Sequence, residues 1–203
     1  MNSSPASRLE RRKAATRTAI LEAASALFNA SGSDSTSIQQ IAARADAGVG
    51  TLYGYFASKD DVLRAVIVEG GEAAAHRYRA TVHENMPLAE RFILALDLFA
   101  GYIAENRELL RAAMRLRAGP ETNGRDTPGA WVYEAFRSLI QAGIDRGEFR
   151  AVPVEAAART IIMTYATSLL GIGLWQGGET DPHLTEDLRE LVRAMLFAPA
   201  RSS

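Results

Sequence analysis

The chain contains no cysteine. That excludes disulfides and thiolate chemistry, and it suits a reducing compartment, so a cytoplasmic protein is expected. Its three histidines, His76, His83 and His183, are scattered, and neither a histidine pair nor an acidic cluster has metal-ligand spacing. Long apolar runs are also missing. The most apolar stretch, IIMTYATSLLGIGLW (161–175), falls short of the ~20 residues that span a bilayer and carries Thr, Ser and Gly. The opening MNSSPASRLERRK has no apolar core of a signal peptide. No nucleophile–base–orienter set and no phosphate loop can be assembled, so neither a catalytic residue nor a cofactor is expected, and the chain does not read as an enzyme. Period-two alternation, the mark of strands, does not persist anywhere.

What is present is helical periodicity and an uneven charge. Net charge is only −1. Yet the first twenty residues set Arg8, Arg11, Arg12, Lys13 and Arg17 against Glu10 alone, while the remainder is mildly acidic. A basic end on an acidic body is the asymmetry expected where one end meets a polyanion.

A first helix is predicted from about Lys13 to Ser31, with Ile20, Ala23, Ala24, Leu27 and Phe28 on one face and Gly32 as its cap. Ser37-Ile38-Gln39-Gln40 reads as a capping box that opens a short helix. The turn Arg44–Ala47 then leads into GVGTLYGYF (48–56). Ser58-Lys59-Asp60-Asp61 caps a longer helix that buries Val62, Leu63, Val66 and Ile67, with Gly70-Gly71 as a bend. Further helices are expected around Phe92–Ile103, Leu109–Leu116, Trp131–Gly143, Val154–Trp175 and Leu184–Phe197, with a turn-rich loop at 118–129. The fold class is all-α, with a helix-turn-helix unit and basic N-terminal arm in residues 1–58 and a helical bundle in residues 59–203.

Segment 48–56 raises the functional question. Val49, Leu52 and Phe56 keep a core spacing, but Gly50 and Gly54 interrupt it, and each glycine inside a helix costs about 1 kcal/mol relative to alanine. Two short helices joined by a four-residue turn and braced by an earlier helix form a helix-turn-helix candidate, whose second helix would enter the major groove. A helical hairpin inside a bundle would share the same apolar spacing.

Residue identities narrow the choice. TSIQQIAARADAGVGTLYGYFASKDDVL (36–63) resembles the DNA-binding signature of the tetracycline-repressor (TetR/AcrR) family of bacterial regulators, through Thr36, Ile41-Ala42, Gly50-Thr51-Leu52-Tyr53, Phe56 and Ser58-Lys59. AILEAASALF, ending before Gly32, fits that family's first helix, and GEFRAVPVEAAA (147–158) looks like its link into the eighth. The resemblance implies a DNA-contacting set of Thr36, Ser37, Gln39, Gly48, Val49, Gly50, Thr51, Tyr53, Tyr55 and Lys59. Gly48 and Gly50 would let the backbone approach the duplex and meet a phosphate. Thr51 offers a hydroxyl and a methyl to a base edge. Tyr53 and Tyr55 would donate to phosphates, Lys59 would add a point charge, and Gln39 could reach a base. Three positions depart from the family pattern: Asp46 stands where it has Gly, Ala47 where it has Val, and Gly54 where it has a bulkier side chain.

For the C-terminal bundle the resemblance implies an effector pocket and a dimer interface. Phe92, Leu96, Phe99, Met114, Trp131, Phe136, Met163 and Tyr165 are the pocket candidates. Ile161, Ser168, Leu169, Ile172 and Trp175 on one helix, with Leu188, Leu191, Val192 and Met195 on the next, are the interface candidates for a four-helix contact about a two-fold axis. The expectation is a homodimeric transcriptional repressor, released from a pseudo-palindromic double-stranded operator by a small apolar or aromatic effector, with no membrane partner. The alternative is a helical small-molecule-binding protein or enzyme that does not bind DNA.

Overall fold

The computed structural model describes residues 7–115, 130–171 and 183–197. Their helices are α1 (Arg8–Ser31), α2 (Ile38–Arg44), α3 (Val49–Tyr53), α4 (Lys59–Thr81), α5 (Leu88–Glu105), α6 (Arg107–Arg115), α7 (Ala130–Asp145), α8 (Val154–Leu170) and α9 (Leu184–Leu196). Among the described residues there is no strand, only an isolated antiparallel bridge between Phe149 and Phe197. None of these helices is long and apolar enough to cross a membrane, and no described group of His, Asp or Glu could hold a metal ion.

Packing divides the chain into two compact units. The first holds α1 to α3, α4 as far as Glu69, and α6. Its core joins Ile20, Ala24 and Phe28 of α1 to Ile41 of α2, Leu52 of α3 and Phe56. Val62, Leu63, Val66 and Ile67 of α4 and Leu109, Ala112 and Ala113 of α6 complete that core. The packing boundary therefore falls after Glu69 rather than after residue 58, because the apolar stripe of α4 is spent on this core. The second unit holds the rest of α4 with α5 and α7 to α9. Phe92 is its centre, edge-on to Phe136 at 5.3 Å and to Phe149 at 5.7 Å between ring centroids.

Local sequence sets the helix ends. α1 starts at Arg8, earlier than its apolar stripe predicts, because Ser7 and Glu10 form a capping box: the Ser7 N–H donates to Glu10 Oε2 at 2.6 Å and the Glu10 N–H to Ser7 Oγ at 3.2 Å. The box at Ser37 and Gln40 starts α2 as read from the sequence. Asp46 takes the left-handed turn conformation, φ 50°, which a short polar side chain tolerates better than most. Ser58 accepts from the Asp61 N–H at 3.1 Å and opens α4.

Two expectations change. α4 continues as one helix through Gly70-Gly71. A Cβ on Gly70 would stand 2.7 Å from the Tyr102 ring, and one on Gly71 would overlap the Trp131 indole. These glycines serve close helix packing within the second unit rather than a bend. α8 ends at Leu170, capped by Gly171 in the left-handed conformation at φ 64°. The predicted continuation to Trp175, with Ile172, lies outside the described residues, as do Leu116 and the loop at 118–129.

Candidate nucleic-acid interface

α3 is anchored by one side chain. Leu52 is fully buried, and Phe56 just beyond the helix is 7 % exposed. Everything else on α3 faces outward: Gly48, Gly50 and Thr51 are exposed, as are Val49 and Tyr53. At 100° per residue, Gly50 lies nearly opposite Leu52, at the crown of the exposed face, with Val49 and Thr51 on its two flanks. A Cβ built on Gly50 meets nothing within 4 Å, and one on Gly48 meets only Thr51 Oγ1 at 3.5 Å. Among the described residues, nothing in the packing demands either glycine.

Several predicted contacts turn out to be committed elsewhere. Thr36 is 3 % exposed and its hydroxyl donates to the Gly32 carbonyl at 2.8 Å, so it closes the α1–α2 loop. A buried hydroxyl needs such a partner. Tyr55 is half-buried, and its single phenolic proton goes to the Lys13 carbonyl at 3.2 Å, tying the end of the hairpin to α1. Lys59 donates to the carbonyls of Ser33 at 2.7 Å and Thr36 at 3.1 Å. Two of its three ammonium protons are thus used to clip the same loop. Ser37 is occupied in its capping box, while Gln39 is exposed.

A second link was not legible in the sequence. Arg17 of α1 pairs with Glu69 of α4, and its guanidinium lies 5.7 Å from the centroid of the Phe56 ring. The partners are 52 residues apart in sequence, and no local pattern joins them.

In the second unit, Phe92, Leu96, Phe99, Phe136 and Tyr165 of the predicted pocket set are buried together with the core. Phe99 stands 5.9 Å from Phe136 and 6.4 Å from Tyr165 between centroids. Trp131 packs edge-on to Tyr102, over Gly71. Two candidates fall outside this group: Met163 is 52 % exposed on α8, and Met114 is exposed on α6 in the first unit. Both lie on the polar side of their helices, which side-chain type alone does not reveal. Burial pushes the Tyr165 phenol up to about 12, with Arg189 opposing and Asp97 and Glu186 adding. Its hydroxyl is buried and meets no hydrogen-bond partner among the described residues. Arg189 meanwhile bridges Asp97, at 2.6 Å, and Glu186. An open groove of about 500 Å³, lined by Met86, Ile93, Leu94 and Phe197 with Glu90, Asp97 and Arg193, uses none of the predicted pocket residues.

The interface candidates divide in the same way. Ile161, Leu169, Leu188 and Val192 are between 2 % and 7 % exposed, so their apolar stripes are spent on the core of their own unit. Leu191 is 64 % exposed, and Ser168 and Met195 are half-buried.

Residues 20–66 match the family model described as bacterial regulatory proteins, tetR family. The HTH-type transcriptional regulator UidR of Escherichia coli K12 is 37 % identical over 67 residues, 33 % of this chain and 34 % of that protein. The chain thus matches about a third of the length of the curated relative. The fold likeness is longer. A transcriptional regulator from Saccharomonospora viridis, solved with choline, superposes with a TM-score of 0.71 over 92 % of this chain and 100 % of its own, at 19 % identity. FadR of Bacillus subtilis, solved with stearoyl-CoA, gives 0.69 over 86 % and 96 %, at 20 % identity. Residues 20–66 thus carry the N-terminal domain of the tetR family of bacterial regulatory proteins, and the longer likeness to these solved structures is one of fold.

Proposed function

We propose that the protein is a ligand-responsive transcriptional regulator that binds operator DNA through α3 and acts as a repressor. The observation that carries this reading is Gly50. It sits on the exposed crown of a short helix, costs helix stability, and has open space where its side chain would be. No described residue asks for it, so we place the demand outside, and a duplex at the second helix of a helix-turn-helix supplies one. The exposed Arg8, Arg12 and Lys13 add a positive flank beside Tyr55, which is bonded to Lys13.

The protein would act as a cytoplasmic homodimer on a pseudo-palindrome, with Leu191, Met195 and Ser168 offering the outward surface of α8 and α9. Its effector would be a small apolar or aromatic molecule received near Phe99, Phe136 and Tyr165, where aromatic edges outnumber charges. By linkage, an effector that releases DNA must bind more weakly when operator is present, by the same factor.

Selecting bound fragments from the source genome and measuring their affinity by fluorescence anisotropy tests the reading. A dimer binding one fragment class tightly, with Gly50→Ala weakening it about tenfold while leaving the protein folded, is the expected result. Wild-type protein that retains no fragment above background would leave only the alternative of a helical small-molecule-binding protein.

A further inference from the structure

From Ala47 to Ser58 there is no Arg, Lys, Asn, Gln, Asp or Glu. α3 therefore offers none of the bidentate forks that recognise guanine or adenine in the major groove. What it exposes is small: the isopropyl group of Val49, which is 36 % exposed, the bare backbone of Gly50, the hydroxyl and methyl of Thr51, and the ring of Tyr53, which is 53 % exposed. Of the groups on base edges in that groove, one is apolar, the C5-methyl of thymine. Short side chains reach it only if the helix lies close to the bases. The bare crown at Gly50 permits that approach, with Val49 and Thr51 straddling it.

We propose that Val49 and Thr51 are specificity-determining residues that read thymine C5-methyl groups, so that each operator half-site is recognised chiefly through thymine methyls. The proposal rests on the DNA-binding reading and adds to it the chemistry of the bases read. The glycine crown and the short methyl-bearing flanks act as one device: a larger residue at position 50 would hold both methyl groups away from the base edges. Gln40, the nearest amide in sequence, is held in the Ser37 capping box, and Gln39, exposed on α2, stands outside α3.

The test uses the operator selected from the genome, with deoxyuridine replacing thymidine at one position at a time. This keeps the base pair and removes only the methyl. At one or two positions in each half-site, affinity is expected to fall about fourfold per methyl, the equivalent of one buried CH₂. Val49→Ala should weaken the thymine operator by a similar factor and become indifferent to deoxyuridine at the position Val49 reads. Thr51→Ser, which keeps the hydroxyl, should do the same at a different position. The slope of affinity against salt should not change in either variant, because no phosphate contact is removed. An operator fully substituted with deoxyuridine that binds as tightly as the thymine form overturns the proposal and leaves DNA binding standing. So does a Val49→Ala protein that remains as sensitive to every substitution as the wild type. Failure of the wild type to bind any selected fragment fails the DNA-binding reading itself, and the proposal with it.

Discussion

The protein spends glycine twice, in opposite ways. Gly70 and Gly71 of α4 are compelled by packing, since a Cβ on either would run into Tyr102 or Trp131. Gly48 and Gly50 at the start of α3 meet no such obstacle. The first pair lets helices of one unit pack closely, and its cost is returned by aromatic contact. The second pair yields nothing inside the molecule. The same residue type therefore marks a structural requirement in one place and an external surface in the other, and the space around its missing side chain tells them apart.

Alanine at each site sharpens that contrast. The largest effect is expected for Gly71→Ala, which forces the Trp131 indole from its seat and should cost about 1–3 kcal/mol, as overpacking typically does. A fall in melting temperature with a changed tryptophan emission would register it, and an unchanged melting curve would contradict the packing account. Lys59→Met comes next. It leaves the Ser33 and Thr36 carbonyls without their charged donor, a loss of about 1–2 kcal/mol for half-buried groups. DNA affinity should fall at every salt concentration while the salt slope stays fixed. A slope shallower by about one would instead give Lys59 a phosphate contact. Gly50→Ala should raise stability by up to about 1 kcal/mol while lowering operator affinity, a change of opposite sign in two measurements. If it also destabilised the fold, the comparison between the glycine pairs would collapse.

The smallest effect concerns Tyr165. Removing a buried hydroxyl that has no partner should leave stability unchanged or raise it by some tenths of a kcal/mol. Tyr165→Phe should also blunt alkaline unfolding. The folded state holds the phenolic protons of Tyr165 and Tyr102 up to about 12, against 10.0 when unfolded. Their contribution is therefore complete below pH 10 and is lost as pH rises from 10 towards 12. Denaturant titrations at pH 8 and pH 11 on both proteins would check this: Tyr165→Phe should lose less stability than the wild type, so its advantage widens at pH 11.

Helix order, the hairpin, the capping box at Ser37 and the cap at Ser58 were legible in the sequence because each is a local pattern. Ser7 and Glu10 form an equally local signal, which the later start of the apolar stripe in α1 outweighed. What remained hidden depends on distant partners. The seat of Trp131 explains Gly71 only once α4 and α7 meet. Apolar periodicity in α8 and α9 cannot say whether Ile161 and Val192 face their own core or another chain, because both destinations need the same residues. At the candidate interface Val49 and Thr51 are exposed, while the hydroxyls of Thr36 and Tyr55 donate to the carbonyls of Gly32 and Lys13, partners that no local pattern names.

The capping box at Ser7 has a kinetic consequence. Because α1 begins at Arg8, Arg12 and Lys13 are carried on a formed helix, and the Tyr55 bond to Lys13 fixes that helix to the end of the hairpin. Positive charges on a flexible arm would have to be immobilised at each encounter, which slows productive docking and lowers affinity through lost chain entropy. If the protein binds DNA as proposed, that immobilisation is complete before the duplex arrives. Association should then behave as the meeting of two preformed surfaces, steered by charge and slowed by salt, in a single phase with no later ordering step.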